Sequence, residues 1–228
     1  MASCKRSSGN HANDPLLARM HGLFGIPAMK LFYSPTSPYA RKCLAAAIEK
    51  GIEGDIALLT VSPMASTAEL LAVNPLSKVP ALVLPDGRSI IDSRVICQHI
   101  DGIAASPRLI PADPAARIDC LTREAQADGI NDAAFSLTME RKRPAEQQSP
   151  DWIERWIAAI SRSVAYFDGR VPHRERPDLG DIALACALGY LDLRHGALDW
   201  RASTPNIASW FAAISARPSL ARTAPPPG

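Results

Sequence analysis

The sequence predicts two structural halves: an α/β domain on a mixed four-stranded sheet over residues 29–106, and an all-α domain over residues 107–228. Three observations lead there. Up to about Ala104, short apolar runs of strand length alternate with helical periodicity in the order βαβ, then α, then ββα. Beyond a linker around Ser106 to Pro114 the strand-like runs stop and long segments keep apolar residues three and four apart. The chain is also 47% hydrophobic with only 6% aromatics, a composition that favours packed helices over a β-sandwich.

The first half reads element by element. Lys30 to Tyr33 is an apolar strand, and Ser34-Pro35-Thr36-Ser37-Pro38 turns into a helix. Ser37 suits the N-cap, and Pro38 suits the first helical position, where a missing N–H does no harm. That helix runs to about Lys50 and stops at Gly51. Asp55 to Leu59 is a second strand, and a short helix from about Ser66 to Val73 leads into Asn74-Pro75-Leu76-Ser77-Lys78-Val79-Pro80. Ala81 to Leu84 and Ser89 to Ile91 form a hairpin around Pro85-Asp86-Gly87. Asp92 to about Ala104 is a helix in which Val95, Ile96, His99 and Ile100 share one buried face.

In the second half, Ile118, Leu121 and Ala125 begin a long helix reaching toward Met139, and Ile153 to Phe167 holds helical spacing throughout. Asp178 and Asp181 form an acidic capping box that opens Ile182 to Leu193. This segment is apolar nearly all round, which marks the buried central helix. Asn206 to Ala216 is the last predicted helix, ending before Pro218.

Charge and cysteine usage narrow the function classes. The net charge of +2 resides in residues 1–28, where Lys5, Arg6 and Arg19 outnumber Asp14, while the rest of the chain balances. A nucleic-acid binder should carry a basic stripe on its folded part, and net charge gives no hint of one. Five scattered cysteines without a C-x-x-C suggest neither a metal knuckle nor a dithiol pair, and this usage reads as a reducing cytoplasm. The five histidines lack ligand spacing, so no metal is expected. No apolar run approaches the ~18–20 residues needed to span a membrane. Residues 1–28 read as a disordered extension or an upstream start, with Met29 as the natural beginning.

Three short motifs carry chemistry in order: Ser37-Pro38-Tyr39-Ala40-Arg41-Lys42, then Val79-Pro80, then Asp92-Ser93. An anionic tripeptide thiol needs a donor for its sulfur, an extended backbone edge to pair with and a helix N-terminus for its α-carboxylate. The three motifs supply one each. A free thiol has a pKa of ~8.5, which hydrogen-bond donors and helix N-termini lower. A cis bond before Pro80 would turn the Val79 backbone outward as an edge. Each motif alone also fits a plain structural role: an N-cap at Ser37, a strand-entry proline at Pro80 and a helix cap at Asp92-Ser93. Arg41 and Lys42 add positive potential or face solvent.

With these motifs before an all-helical half, residues 29–225 resemble a cytosolic glutathione S-transferase, closest to a bacterial branch with serine at the catalytic place. The resemblance implies a thioredoxin-like first domain and glutathione as co-substrate. It also implies Ser37 as the catalytic residue, favoured over Ser34, Thr36 and Tyr33 because it directly precedes Pro-Tyr. Lys78, Val79, Pro80, Asp92 and Ser93 would hold glutathione. Asp92 stands where many relatives have glutamate. The acceptor, a small electrophile, would lie between Ser37 with Tyr39 and the first long helix of the second domain, whose Asn131, Phe135 and Thr138 would share one face. A homodimer is implied, with Arg94 and Gln98 meeting carboxylates such as Glu124 or Asp128 of the partner subunit. A glutathione-dependent peroxidase or disulfide reductase, and a non-catalytic interaction protein, remain as alternatives. Under the peroxidase or reductase reading a protein-thiol mechanism is not expected, because position 37 is serine, and Cys43 should point away from the site.

Overall fold

A computed structural model describes residues 29–172 and 174–226; the expectation for residues 1–28 lies outside them. Strands β1 (Met29–Tyr33), β2 (Ile56–Thr60), β3 (Ala81–Val83) and β4 (Ser89–Ile91) form one mixed sheet in the order β2-β1-β3-β4. β1 pairs parallel with β2 and antiparallel with β3, and β3 pairs antiparallel with β4. Side chains alternate across β1 as strand geometry requires. Leu31 and Tyr33 enter the main core, while Phe32 joins a small cluster with Leu70, Val79 and Ala81 on the other face.

Helix α1 (Pro38–Glu49) returns from β1, and α2 (Ala68–Val73) precedes β3. Helix α3 (Ser93–Ile103) follows β4 directly. The main core takes Ala46 from α1 and Ile96 and Ile100 from α3. Val95 is a correction to the sequence reading, for it is 51% exposed. The buried stripe of α3 runs through Ser93, Ile96, Cys97 and Ile100, so Val95 falls just outside it.

From Pro114 onward every described element is helical. These are α4 (Pro114–Arg141), α5 (Pro150–Asp168), α6 (Leu179–His195), the one-turn α7 (Trp200–Ser203), α8 (Pro205–Ser215) and α9 (Pro218–Ala221). Helix α6 is buried almost throughout. Its capping box closes both ways, Asp178 Oδ1 accepting from Asp181 N–H and Asp181 Oδ2 accepting from Asp178 N–H, each at 3.1 Å. Arg123 of α4 ion-pairs with both carboxylates. A Cβ on Gly180 would stand 2.7 Å from Cys120 O, so glycine lets α6 cross α4 at backbone contact.

Helix α9 goes beyond the prediction that the helices end before Pro218. Proline at the first helical position lacks only an N–H that would be unpaired anyway, so it opens a new turn. The segment then folds back onto α1. Arg217 pairs with Glu49 at 2.9 Å, and Ser219 Oγ donates to the same carboxylate at 2.5 Å.

Candidate functional site

The strand register gathers the three motifs. Phe32 pairs with Ala81, and Ala81 pairs with Ile91. Continuing each strand outward brings the β1–α1 loop, Val79-Pro80 and Asp92-Ser93 to one end of the sheet. Cys43 Sγ of α1 approaches Ser93 O at 3.6 Å, which ties the start of α3 to α1.

Ser37 caps α1. Its Oγ accepts from Ala40 N–H at 3.2 Å, leaving the hydroxyl proton to donate elsewhere. Its rivals in the loop, Ser34 Oγ and Thr36 Oγ1, stand 3.4 Å apart, which uses one of their two hydroxyl protons. Tyr33 is buried, and burial raises its pKa despite the opposing Arg41 charge. A narrow cavity lined by Thr36, Ser37, Arg41, Cys186 and Tyr190 lies behind this turn.

The Val79-Pro80 bond is cis. Among the described residues, neither the N–H nor the C=O of Val79 has a hydrogen-bond partner, whereas the chain resumes pairing at Ala81. Asn74 shapes the approach, donating from Nδ2 to Lys78 O at 2.8 Å and accepting from Leu76 N–H at 3.1 Å. Lys78 itself is exposed. The Asn-Pro start of the motif held the signal for this organising role, which the sequence reading did not assign.

Asp92 caps α3 with Oδ1 accepting from Arg94 N–H at 2.9 Å. Its φ of 69° lies in the left-handed region, a costly conformation for a non-glycine residue that clusters at functional sites. Ser93 is only 4% exposed and begins the helix, where unpaired N–H groups and the dipole favour an anion.

Arg41 and Lys42 do not face solvent, one of the two alternatives read from the sequence, since both are buried. Lys42 is 1% exposed; its Nζ reaches Glu124 Oε1 and Asp128 Oδ2 of α4, each at 2.9 Å. Burial raises the pKa of Glu124, with the Lys42 charge opposing it. Arg94 Nε binds Asp128 Oδ2 at 2.9 Å. The carboxylates expected to meet Arg94 from a partner subunit are therefore consumed within the chain. They lock the start of α3 and the middle of α1 onto α4.

The acceptor-side residues do not share one open face. Phe135 is exposed, whereas Asn131 is buried. Thr138 Oγ1 donates to Ala134 O at 2.8 Å and stands 3.0 Å from His195 Nε2, inside the α4–α6 contact. Tyr39 donates to Asp132 of α4, and burial is the largest of several causes raising its pKa. Cys43 is fully buried, 3.7 Å from Cys97 Sγ, and burial pushes its thiol pKa well up, so it stays protonated. Among the described residues no group of three or more His, Cys, Asp or Glu is placed to hold a metal, and no helix is long and apolar enough to cross a membrane.

One end of the sheet thus presents a helix-capping serine, an unpaired backbone edge and a second helix start, on a fold of two parts. Residues 36–103 match the model of the glutathione S-transferase N-terminal domain, and residues 150–213 match that of the C-terminal domain. The chain is 36% identical to the uncharacterized GST-like protein YibF of Escherichia coli K12, over 87% of this chain and 99% of that protein. Among solved structures it resembles a glutathione transferase family member from Pseudomonas fluorescens Pf-5 with bound glutathione (TM-score 0.82, 39% identity, 87% of this chain and 99% of that one). It also resembles a glutathione S-transferase from Methylobacillus flagellatus KT with glutathione bound (TM-score 0.81, 41% identity, 87% and 100%). The chain belongs to the glutathione S-transferase family.

Proposed function

We propose that this protein is a glutathione transferase in which the Ser37 hydroxyl stabilises the glutathione thiolate. The observation that carries the reading is the Ser37 cap: with Oγ accepting from Ala40 N–H, its proton is free to point at a bound sulfur. The dipole of α1 adds a favourable field at the same point. Ser37 is then neither nucleophile nor base. The thiol loses its proton to solvent and the sulfur electron pair attacks an electrophilic carbon. With chlorodinitrobenzene a C–S bond forms and chloride departs.

The remaining contacts follow from the same geometry. The N–H and C=O of Val79, unpaired among the described residues, suit the backbone of the cysteinyl residue. The γ-glutamyl carboxylate suits Ser93 at the start of α3, and its ammonium group suits the exposed Asp92 carboxylate. Lys78 suits the glycyl carboxylate. Tyr39 and exposed Phe135 are the acceptor-side residues left available for an apolar electrophile, since Asn131 and Thr138 are turned into helix packing. We further propose that the protein works as a homodimer.

The test is conjugation of glutathione to chlorodinitrobenzene by wild type and by Ser37→Ala, with Ser34→Ala and Thr36→Ala beside it. One hydrogen bond to a charged group contributes roughly 1.5–3 kcal/mol, so kcat/KM should fall about ten- to a hundredfold in Ser37→Ala alone. A full rate in Ser37→Ala would remove the serine mechanism. Wild type that neither binds glutathione in calorimetry nor turns over would remove the reading as a whole.

A further inference from the structure

We propose a second ligand site, in the cleft between the two halves at the far end of α1 from Ser37, that takes a phosphate monoester with a compact apolar body. The cleft has a volume of about 400 Å³. Its wall includes Glu49, the last residue of α1, and α1 has 12 residues, so the cleft and the Ser37 turn are separated by about 18 Å of helix.

Charge is the first argument. Arg108, Arg174, Arg176 and Arg217 line the cleft with two carboxylates, Glu49 and Asp178. The carboxylates are already matched. Glu49 pairs with Arg217 at 2.9 Å. Asp178 and its capping partner Asp181 share Arg174, at 3.2 and 3.4 Å, together with Arg123. Arg108 and Arg176 form no ion pair among the described residues, and both are exposed. Two positive charges are thus left over in one concave space. Guanidinium forks match the oxygens of a phosphate, which carries close to two negative charges at neutral pH.

Rigidity is the second. The segment carrying Arg108 is pinned from both halves. Buried Lys50 donates from Nζ to Pro107 O at 2.6 Å, and Leu109 N–H donates to Asp101 Oδ1 at 2.7 Å. Across the cleft, Leu179 N–H donates to Leu109 O at 2.8 Å. An anion arriving here meets a floor that is already ordered, which lowers the cost of binding. Pro107, Leu109, Pro111 and Pro177 supply apolar wall for the ester body.

The probe is phenyl phosphate, titrated calorimetrically into the full-length protein with and without saturating glutathione. Binding is expected in both cases, weakening as salt rises. The Arg108→Gln/Arg176→Gln double variant should bind about tenfold more weakly or worse, the effect of losing one or more charge-assisted hydrogen bonds. Its thermal midpoint and its rate with glutathione should stay unchanged. Absence of binding at millimolar phenyl phosphate would overturn the proposal. So would equal binding by the double variant, or displacement by glutathione. Succinate binding as tightly as phenyl phosphate would overturn the choice of a phosphate ester.

Discussion

Arg41 stands one helical turn beyond Ser37, and its guanidinium is held by neutral oxygens, Leu220 O at 3.1 Å and Thr223 Oγ1 at 3.4 Å. Glycine at position 189 makes room for it, since a Cβ there would lie 2.4 Å from Arg41 Nη1. No carboxylate pairs with it among the described residues, so its field is not cancelled locally and acts on the turn that carries Ser37. A positive charge in a partly dry site favours a nearby thiolate. Arg41→Gln is therefore expected to raise the pKa of enzyme-bound glutathione by about one unit, a change of about 1.4 kcal/mol. The pH–rate profile should move to higher pH by the same amount, with partial restoration in Arg41→Lys. Thiolate absorbance of the complex across a pH titration measures this, and a profile matching wild type would remove the role. The sequence showed Ser37 and Asp92-Ser93 plainly, because a cap is satisfied within three residues. It did not show Arg41 or Lys42, whose partners lie 179 and 82 residues away. Without those partners a charged side chain is assigned to solvent by default.

Among the elements, the long periodic helices, the sheet and the short helix before β3 were legible, and the one-turn helices were not. Strand β2 starts one residue later than predicted, and α7 and α9 are single turns with too few residues to show a period. Helix α9 nevertheless matters, because Glu49 fastens its start to the end of α1. Burial alone would raise the Glu49 pKa, but hydrogen bonds from Arg217 and Ser219, with the Arg217 charge, outweigh it and hold the carboxyl below its ordinary value. A carboxyl whose folded pKa is depressed stabilises fully above its unfolded value, near 4.5, and this contribution disappears as pH falls through the folded value. Glu49→Gln should therefore cost about 1 kcal/mol at neutral pH, a figure already reduced for solvent screening at this half-buried site. The cost should shrink toward zero as pH falls well below 4.5. Denaturant midpoints of the two proteins at neutral and acid pH provide the measurement. A constant difference between them would show that the ion pair is not its source.

For the whole molecule, the order of the halves followed from periodicity, whereas the one core that runs through both and the surface left for assembly did not. The expectation of Arg94 meeting acidic residues of a second subunit fails, because Asp128 of the same chain holds it. Beside exposed Arg94 and Gln98, the same region leaves apolar side chains open: Val95 is half exposed on α3, Ile103 ends that helix exposed, and Ile118 of α4 is exposed more than either. Single exposed apolar side chains are ordinary, but an association through α3 and α4 would cover these three and give the proposed homodimer its apolar contact. Such a contact is isologous, so one substitution acts twice. Sedimentation of the wild type at micromolar concentration should give about twice 24.5 kDa. Val95→Glu should shift the protein toward monomer, since it places a charge in each copy of the contact and leaves the buried stripe of Ile96 and Ile100 intact. An unchanged thermal midpoint of the monomeric variant at low protein concentration would separate lost assembly from lost folding. A Val95→Glu protein that still sediments as a dimer would move the interface away from α3, and a monomeric wild type that still turns over would remove the dimer from the functional reading.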